Sequence, residues 1–100
     1  MQAKIIIKRK FIKGKQREII ALLRELRSGA LQQPGYISGE TLTSGDDPQT
    51  LVVIGSWQDM ESWINWREND TRKTLERMLE TYQETSSEYQ ELTLGAFIEE

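Results

Sequence analysis

The sequence contains no cysteine and no histidine. The first absence excludes disulfides, thiolate metal centres and cysteine nucleophiles. The second removes the commonest metal ligand and the one side chain whose ordinary pKa lies near neutrality. Proton transfer, if any, must then fall to a carboxylate, a lysine or a tyrosine, and a catalytic metal is not expected. Proline occurs only as Pro34 and Pro48, so long stretches are free to run as helix or strand. No apolar run approaches the ~20 residues of a membrane-crossing helix. Met1 to Ile7 is too short for a secretory signal and reads as a strand, which makes a cytoplasmic address the default expectation. The formal net charge of −3 gives no general drive toward nucleic acid or a lipid surface.

What is present fits one domain, 1–100, since 37% apolar and 29% charged residues are ordinary for a globular chain of this size. The charge is uneven. Lys4, Lys8, Arg9, Lys10, Lys13, Lys15 and Arg17 all precede the first acid, Glu18, and no base follows Arg77. Solvated faces with some attraction within or between subunits explain this most simply; steering of an anionic ligand is the sharper alternative.

Periodicity divides the chain. Lys4 to Phe11 reads as a strand with Ile5, Ile7 and Phe11 on one face and Ile6, Lys8 and Lys10 on the other. From Lys15 the period becomes helical, with Ile19, Leu22, Leu23 and Leu26 in one stripe, Ile20 beside it, and Ser28-Gly29 as the stop. Arg24 and Arg27 would suit the negative end of that helix. Gln32 to Gly35 is a turn, and Tyr36 to Thr43 a second strand placing Tyr36, Ser38, Glu40 and Leu42 against Ile37, Gly39 and Thr41. Its glycine, Gly39, marks a bulge or a close backbone approach. Ser44 to Pro48 is a loop. Thr50 to Trp57 is a third strand, apolar on both faces: Leu51, Val53 and Trp57 against Val52 and Ile54. Asp59 caps a short helix with Met60, Trp63 and Ile64 at helical spacing; Glu68-Asn69-Asp70 caps another over Thr71 to about Thr85. Tyr89 to Ile98 is a last strand.

The order is β-α-β-β-α(α)-β, an α+β ferredoxin-like arrangement with a four-stranded antiparallel sheet and helices on one face. The third and fourth strands are apolar on both faces, so the uncovered face calls for a partner, and a homodimer through that face is expected.

All three tryptophans lie between Trp57 and Trp66. A strand closing in Trp57, an acidic helix start, a second run from Glu61 to Trp66, and Pro34-Gly35-Tyr36 opening the second strand together resemble the antibiotic biosynthesis monooxygenase family of dimeric α/β barrels. The resemblance covers Lys4 to Phe97. It implies a ligand site between helices and sheet, and cofactor-independent oxygenation of a small aromatic or quinol-like substrate. The family's haem-degrading branch has an asparagine, a tryptophan and an iron-binding histidine at positions matching Ile7, Trp66 and Glu76; only the tryptophan is present, so haem chemistry is not expected.

Oxygenation of a phenol needs a dry pocket, a base, and positive charge beside the developing anion. Glu76 or Glu40 is the candidate base, and Arg72 or Lys8 the candidate holder of the anion. Trp66, Asn65 and Tyr36 are candidates to line the substrate site. Each has a plainer alternative. Glu76 lies within helical reach of Arg72 and Lys73 and would make a solvated ion pair; Tyr36 would be a strand residue with its hydroxyl at the edge. Trp57 and Trp63 read as core, while Trp66 stands between pocket wall and core. RNA recognition through this fold requires aromatics where the first and third strands have Ile5-Ile6-Ile7 and Val52-Val53-Ile54. The rival to an oxygenase is a noncatalytic homodimer that binds an apolar ligand or serves as a scaffold. A filled interior beside Trp66 would favour the scaffold.

Overall fold

The computed structural model describes residues 1–95. In chain order it contains β1 (Ala3–Lys10), α1 (Gln16–Leu31), β2 (Tyr36–Thr43), β3 (Thr50–Trp57), α2 (Met60–Arg67), α3 (Asp70–Glu80) and β4 (Glu88–Thr93). The strands form one antiparallel sheet in the order β2-β3-β1-β4. This is an α+β, ferredoxin-like fold, as the pattern predicts.

Strand alternation sets the two faces. Ala3, Ile5, Ile7 and Arg9 of β1 are buried under the helices. Their partners on β3, Trp57, Gly55, Val53 and Leu51, share that face, as do Thr93, Glu91 and Tyr89 on β4. The core adds Ile19, Leu22, Leu26 and Ala30 from α1, Trp63 and Trp66 from α2, and Leu79 from α3. On the opposite face Ile6 pairs with Ile54 and Val52 with Leu42, Leu92 lies opposite Lys4, and Lys8, Glu40 and Gln90 share the face; no described element covers them.

The caps are those expected. The Asp59 carboxylate accepts from the Ser62 backbone N–H at 2.8 Å, and Asn69 Oδ1 from that of Arg72 at 3.1 Å. Three boundaries differ from the expectation. α1 does not stop at Gly29 but runs two residues further, to Leu31. Gly29 serves a close approach instead: a Cβ there would lie 2.6 Å from Cη2 of Trp66. α3 ends at Glu80 rather than near Thr85, because the backbone beyond it bonds to the end of β1. Ile12 N–H donates to the Tyr82 carbonyl at 2.8 Å, Glu84 N–H donates to that of Lys10 at 2.9 Å, and Phe11 bridges Gln83. β4 ends at Thr93, followed by a turn with Gly95 at φ 74°; the expected continuation through Ala96, Phe97 and Ile98 lies outside the described residues.

β2 carries a bulge. Tyr36 faces Trp57 and Ser38 faces Ser56, so Ile37 is the extra residue. The consequence is a change of face. Tyr36 stays under the helices, whereas Ser38, Glu40 and Leu42 pair with Ser56, Ile54 and Val52 on the uncovered side. The uninterrupted alternation read from the sequence placed all four together, and the bulge is why that fails.

Candidate functional site

A cavity of about 300 Å³ lies between the helices and the β1-β3-β2 part of the sheet. Its walls come from residues brought inward by two periodicities: 2 along the strands (Ile5, Ile7, Arg9; Leu51, Val53, Gly55, Trp57) and 3.6 along the helices (Leu23, Leu26, Ala30; Trp63, Trp66; Arg72, Glu76). The scaffold reading anticipated a filled interior. Gly55 and Gly39, paired on adjacent strands, form part of the cavity floor and let the Trp57 indole and the Tyr36 hydroxyl lie close against the sheet.

One part of the wall is aromatic. Tyr36 packs edge-on to Trp57, with ring centroids 5.1 Å apart at 78°. Trp57 in turn lies 5.9 Å from Trp63. Such tilted pairs hold each ring in one orientation and add to simple burial. Gly39 is the close-approach glycine of β2, since a Cβ there would stand 2.6 Å from the Tyr36 hydroxyl oxygen. Trp63 is fixed at its polar edge: its indole N–H donates to Glu91 at 2.5 Å, and Arg67 donates to the same carboxylate oxygen at 2.7 Å. That indole bond, followed in effect by Arg67, holds the Glu91 carboxyl below its ordinary value against the opposing effect of burial.

The other part of the wall is ionic and buried. Arg9, Arg72 and Glu76 are 3%, 4% and 7% exposed. Arg9 grips Glu76 with both terminal nitrogens, at 2.5 Å to Oε1 and 2.9 Å to Oε2. Arg72, one helical turn before Glu76, meets Oε2 at 2.9 Å. Arg72 also donates to the Tyr89 hydroxyl at 3.0 Å, and its guanidinium sits 5.1 Å from the Trp63 ring and 5.6 Å from that of Tyr89. Two guanidinium groups thus share one carboxylate, which leaves a buried positive charge without an anionic partner among the described residues. Arg9 Nε is also buried with no hydrogen-bond partner among them. An isolated buried charge is costly, so this cluster is organised to meet an anion or a strong acceptor.

The sequence candidates separate cleanly in space. Trp66, Tyr36, Arg72 and Glu76 all border the cavity. Asn65 is exposed on the outer side of α2, since Trp63 and Trp66 take the inward positions. Lys8 is exposed on the uncovered face of β1, paired with Val52 and Glu88. Glu40 is exposed at the cavity rim, turned with Ile54 to the uncovered face by the bulge. Glu76 is not a solvated partner of Lys73, which instead pairs with Glu68 at 3.0 Å. Trp57 and Trp63, read as core, are both core and cavity wall. Arg9 was overlooked as a site residue. The signal for it lay in the strand itself: it shares the face of Ile5, Ile7 and Phe11, and a charge on a core face demands a partner. Among the described residues no group of carboxylates is arranged to hold a metal ion, and no helix is long and apolar enough to cross a membrane.

A sheet with one helical layer, enclosing an aromatic cavity with an ionic wall, defines a small α+β domain. Residues 3–89 match the antibiotic biosynthesis monooxygenase family, and the chain belongs to that family. No curated protein matches it. Solved structures with the same fold include a conserved protein from Methanosarcina mazei (18% identity, 92% of this chain and 91% of that one, TM-score 0.85). SnoaB, a cofactor-independent oxygenase from Streptomyces nogalater, is 17% identical over the full length of both chains, with a TM-score of 0.79. Rv0793 from Mycobacterium tuberculosis is 14% identical over 100% of this chain and 98% of that one, with a TM-score of 0.82. At these identities the likeness is one of fold.

Proposed function

We propose that the protein is a cofactor-independent monooxygenase acting on a small phenolic or quinol-like aromatic in this cavity. The observation that carries the reading is the buried Arg9–Glu76–Arg72 cluster against a wall of indoles. The indoles and Tyr36 sandwich a flat ring and exclude water. Glu76 has about four lone-pair positions. Two accept from Arg9, Oε2 also has Arg72 as an ion partner at 2.9 Å, and the second position on Oε1 is free to accept the substrate's hydroxyl proton. Arg72 then stabilises the phenolate, in a setting where fixed charge acts more strongly than in water.

The phenolate gives one electron to O₂, and the substrate radical and superoxide combine as a hydroperoxide on a ring carbon bearing hydrogen. Loss of that hydrogen as a proton and cleavage of the O–O bond yield a quinone and water. One oxygen atom enters the product and the other leaves as water. The substrate supplies all four electrons, so no cofactor enters the balance. Trp66 and Tyr36 contribute binding surface. Asn65 and Lys8, being outside the cavity, have no part in this scheme.

The working unit in this reading is a homodimer. Ile6, Ile54, Val52 and Leu42 form an apolar centre on the uncovered sheet face, ringed by Lys4, Lys8, Glu40 and Gln90, with Leu92 beyond Lys4. A second copy related by a two-fold axis covers it with the same residues. Noncatalytic binding of the same aromatic ligand is the second reading, supported by how many of the Glu76 lone pairs are already engaged. Oxygen uptake with a panel of naphthols and hydroquinones separates the two. Uptake by the wild-type protein that is abolished in Arg72→Lys and Glu76→Gln, each shown to be folded by circular dichroism under the assay conditions, supports oxygenation. Saturable binding without uptake by any member of the panel supports the second reading.

A further inference from the structure

Beyond the buried cluster, the cavity is bordered by two more arginines, Arg24 and Arg27. They stand three residues apart on α1 and therefore on one side of it. Both are exposed, which puts them where the cavity opens to solvent. Neither makes a salt bridge or a side-chain hydrogen bond among the described residues. A place at the helix C-terminus does not explain them electrostatically, because α1 continues to Leu31 and its last turn has no basic residue. Four arginines thus border one cavity, against Glu76 and the outward-turned Glu40, in a chain whose formal net charge is −3. Positive charge has been concentrated at the cavity of an otherwise acidic molecule.

We infer that the substrate is an aromatic acid: a planar phenolic ring system carrying an anionic oxygen group, a carboxylate or its equivalent, that docks on Arg24 and Arg27 at the mouth while its phenolic oxygen reaches Arg9 and Arg72 inside. This rests on the functional reading above and narrows its substrate class. The two ends of the cavity differ in the kind of contact. The inner guanidinium groups are dry and short of acceptors, as the unpartnered Arg9 Nε records, and suit an oxygen that becomes charged during reaction. The outer pair is solvated and suits a group that is already charged on arrival, giving capture and orientation rather than catalysis. The aromatic wall between them fixes the ring plane. Exposed ion pairs each strengthen binding only a few-fold, so the two together give a preference on the order of 5- to 20-fold for the acid over its neutral counterpart. That preference should weaken as salt screens the mouth.

The test is calorimetric titration with two probes, 2-naphthol and 6-hydroxy-2-naphthoic acid, at low and high salt, with oxygen uptake measured on both. The wild-type protein should bind the acid more tightly. Arg24→Gln/Arg27→Gln should reduce the preference to within about twofold while leaving binding of 2-naphthol unchanged. Lys13→Gln/Arg17→Gln removes the same charge from exposed positions near the start of α1 that do not border the cavity, and it should keep the preference. Equal binding of the two probes, or a preference that the control variant loses equally, overturns the inference. If 2-naphthol is then still consumed, the oxygenase reading stands without it. If neither probe binds, both fall.

Discussion

Replacing Gly29 with alanine should fail to stabilise α1, and should weaken ligand binding at the same time. In an ordinary helical position the change gains about 1 kcal/mol, because alanine loses less backbone freedom than glycine. Here the new Cβ would lie 2.6 Å from Cη2 of Trp66 and 3.3 Å from Cζ2. Carbon atoms rest at roughly 3.5–4.0 Å, so the ring must retreat by about 1 Å. An indole is rigid, and this one is held against α1, so the movement is available only into the cavity. Forcing a methyl group into such a contact costs about 1–3 kcal/mol. Set against the helical gain, the net effect lies between no change and about 2 kcal/mol of destabilisation. Urea melts with an unchanged m-value would report it. Ser28→Ala, one residue earlier and exposed, is the control and should be slightly stabilising. In a Trp66→Phe background the obstruction disappears, and Gly29→Ala should recover its helical gain, which a double-mutant cycle reads directly. A gain of about 1 kcal/mol for Gly29→Ala in the native background, with ligand titration unchanged, would refute the account of why a glycine sits inside this helix.

Glu76→Gln should cost about 3–5 kcal/mol in denaturant melts, since it leaves two buried guanidinium groups without a counter-charge; a cost under about 1 kcal/mol would mean the cluster is wetter than it looks. Gly35→Ala should destabilise markedly, because Gly35 has φ 86° and a Cβ there would also meet Cβ of Ser62 at 2.6 Å; a loss of under 1 kcal/mol would count against that packing. Glu91 has its carboxyl held below the ordinary value, so its contribution to stability is full above the unfolded-state value near 4.5 and is lost as pH falls through the lower folded value. Acid titration of wild-type protein should therefore show a tryptophan fluorescence change below that point that is missing from Glu91→Gln. Ile54→Lys, at the centre of the uncovered face, should convert a sedimenting dimer to monomer; a wild-type protein that sediments as a monomer at micromolar concentration would dispose of the dimer outright.

Much of the fold was legible in the chain because it is written in local rules. Alternation of apolar residues on β1 and β3, the stripe Ile19-Leu22-Leu26, the caps Asp59 and Asn69, and the turns near Gly35 and Pro48 each act within a few residues, and each read correctly from order alone. Arg72 and Glu76 were also recognisable as a helical pair. The site's composition was not. Glu40 left the cavity's interior because a single bulged residue, Ile37, turned the rest of β2 over; the strand's glycine signals a bulge or a close approach but does not say at which residue the register shifts. Gly29 looked like a helix stop because its reason for being glycine, the Trp66 ring, lies 37 positions away in the chain. Glu76 looked solvated because the arginine that buries it arrives from β1, 67 residues distant. Sequence alone determined which faces are apolar and where each element starts. Tertiary structure decided which charges meet in the dry interior and where space is left between the rings, because packing joins residues that no local period connects.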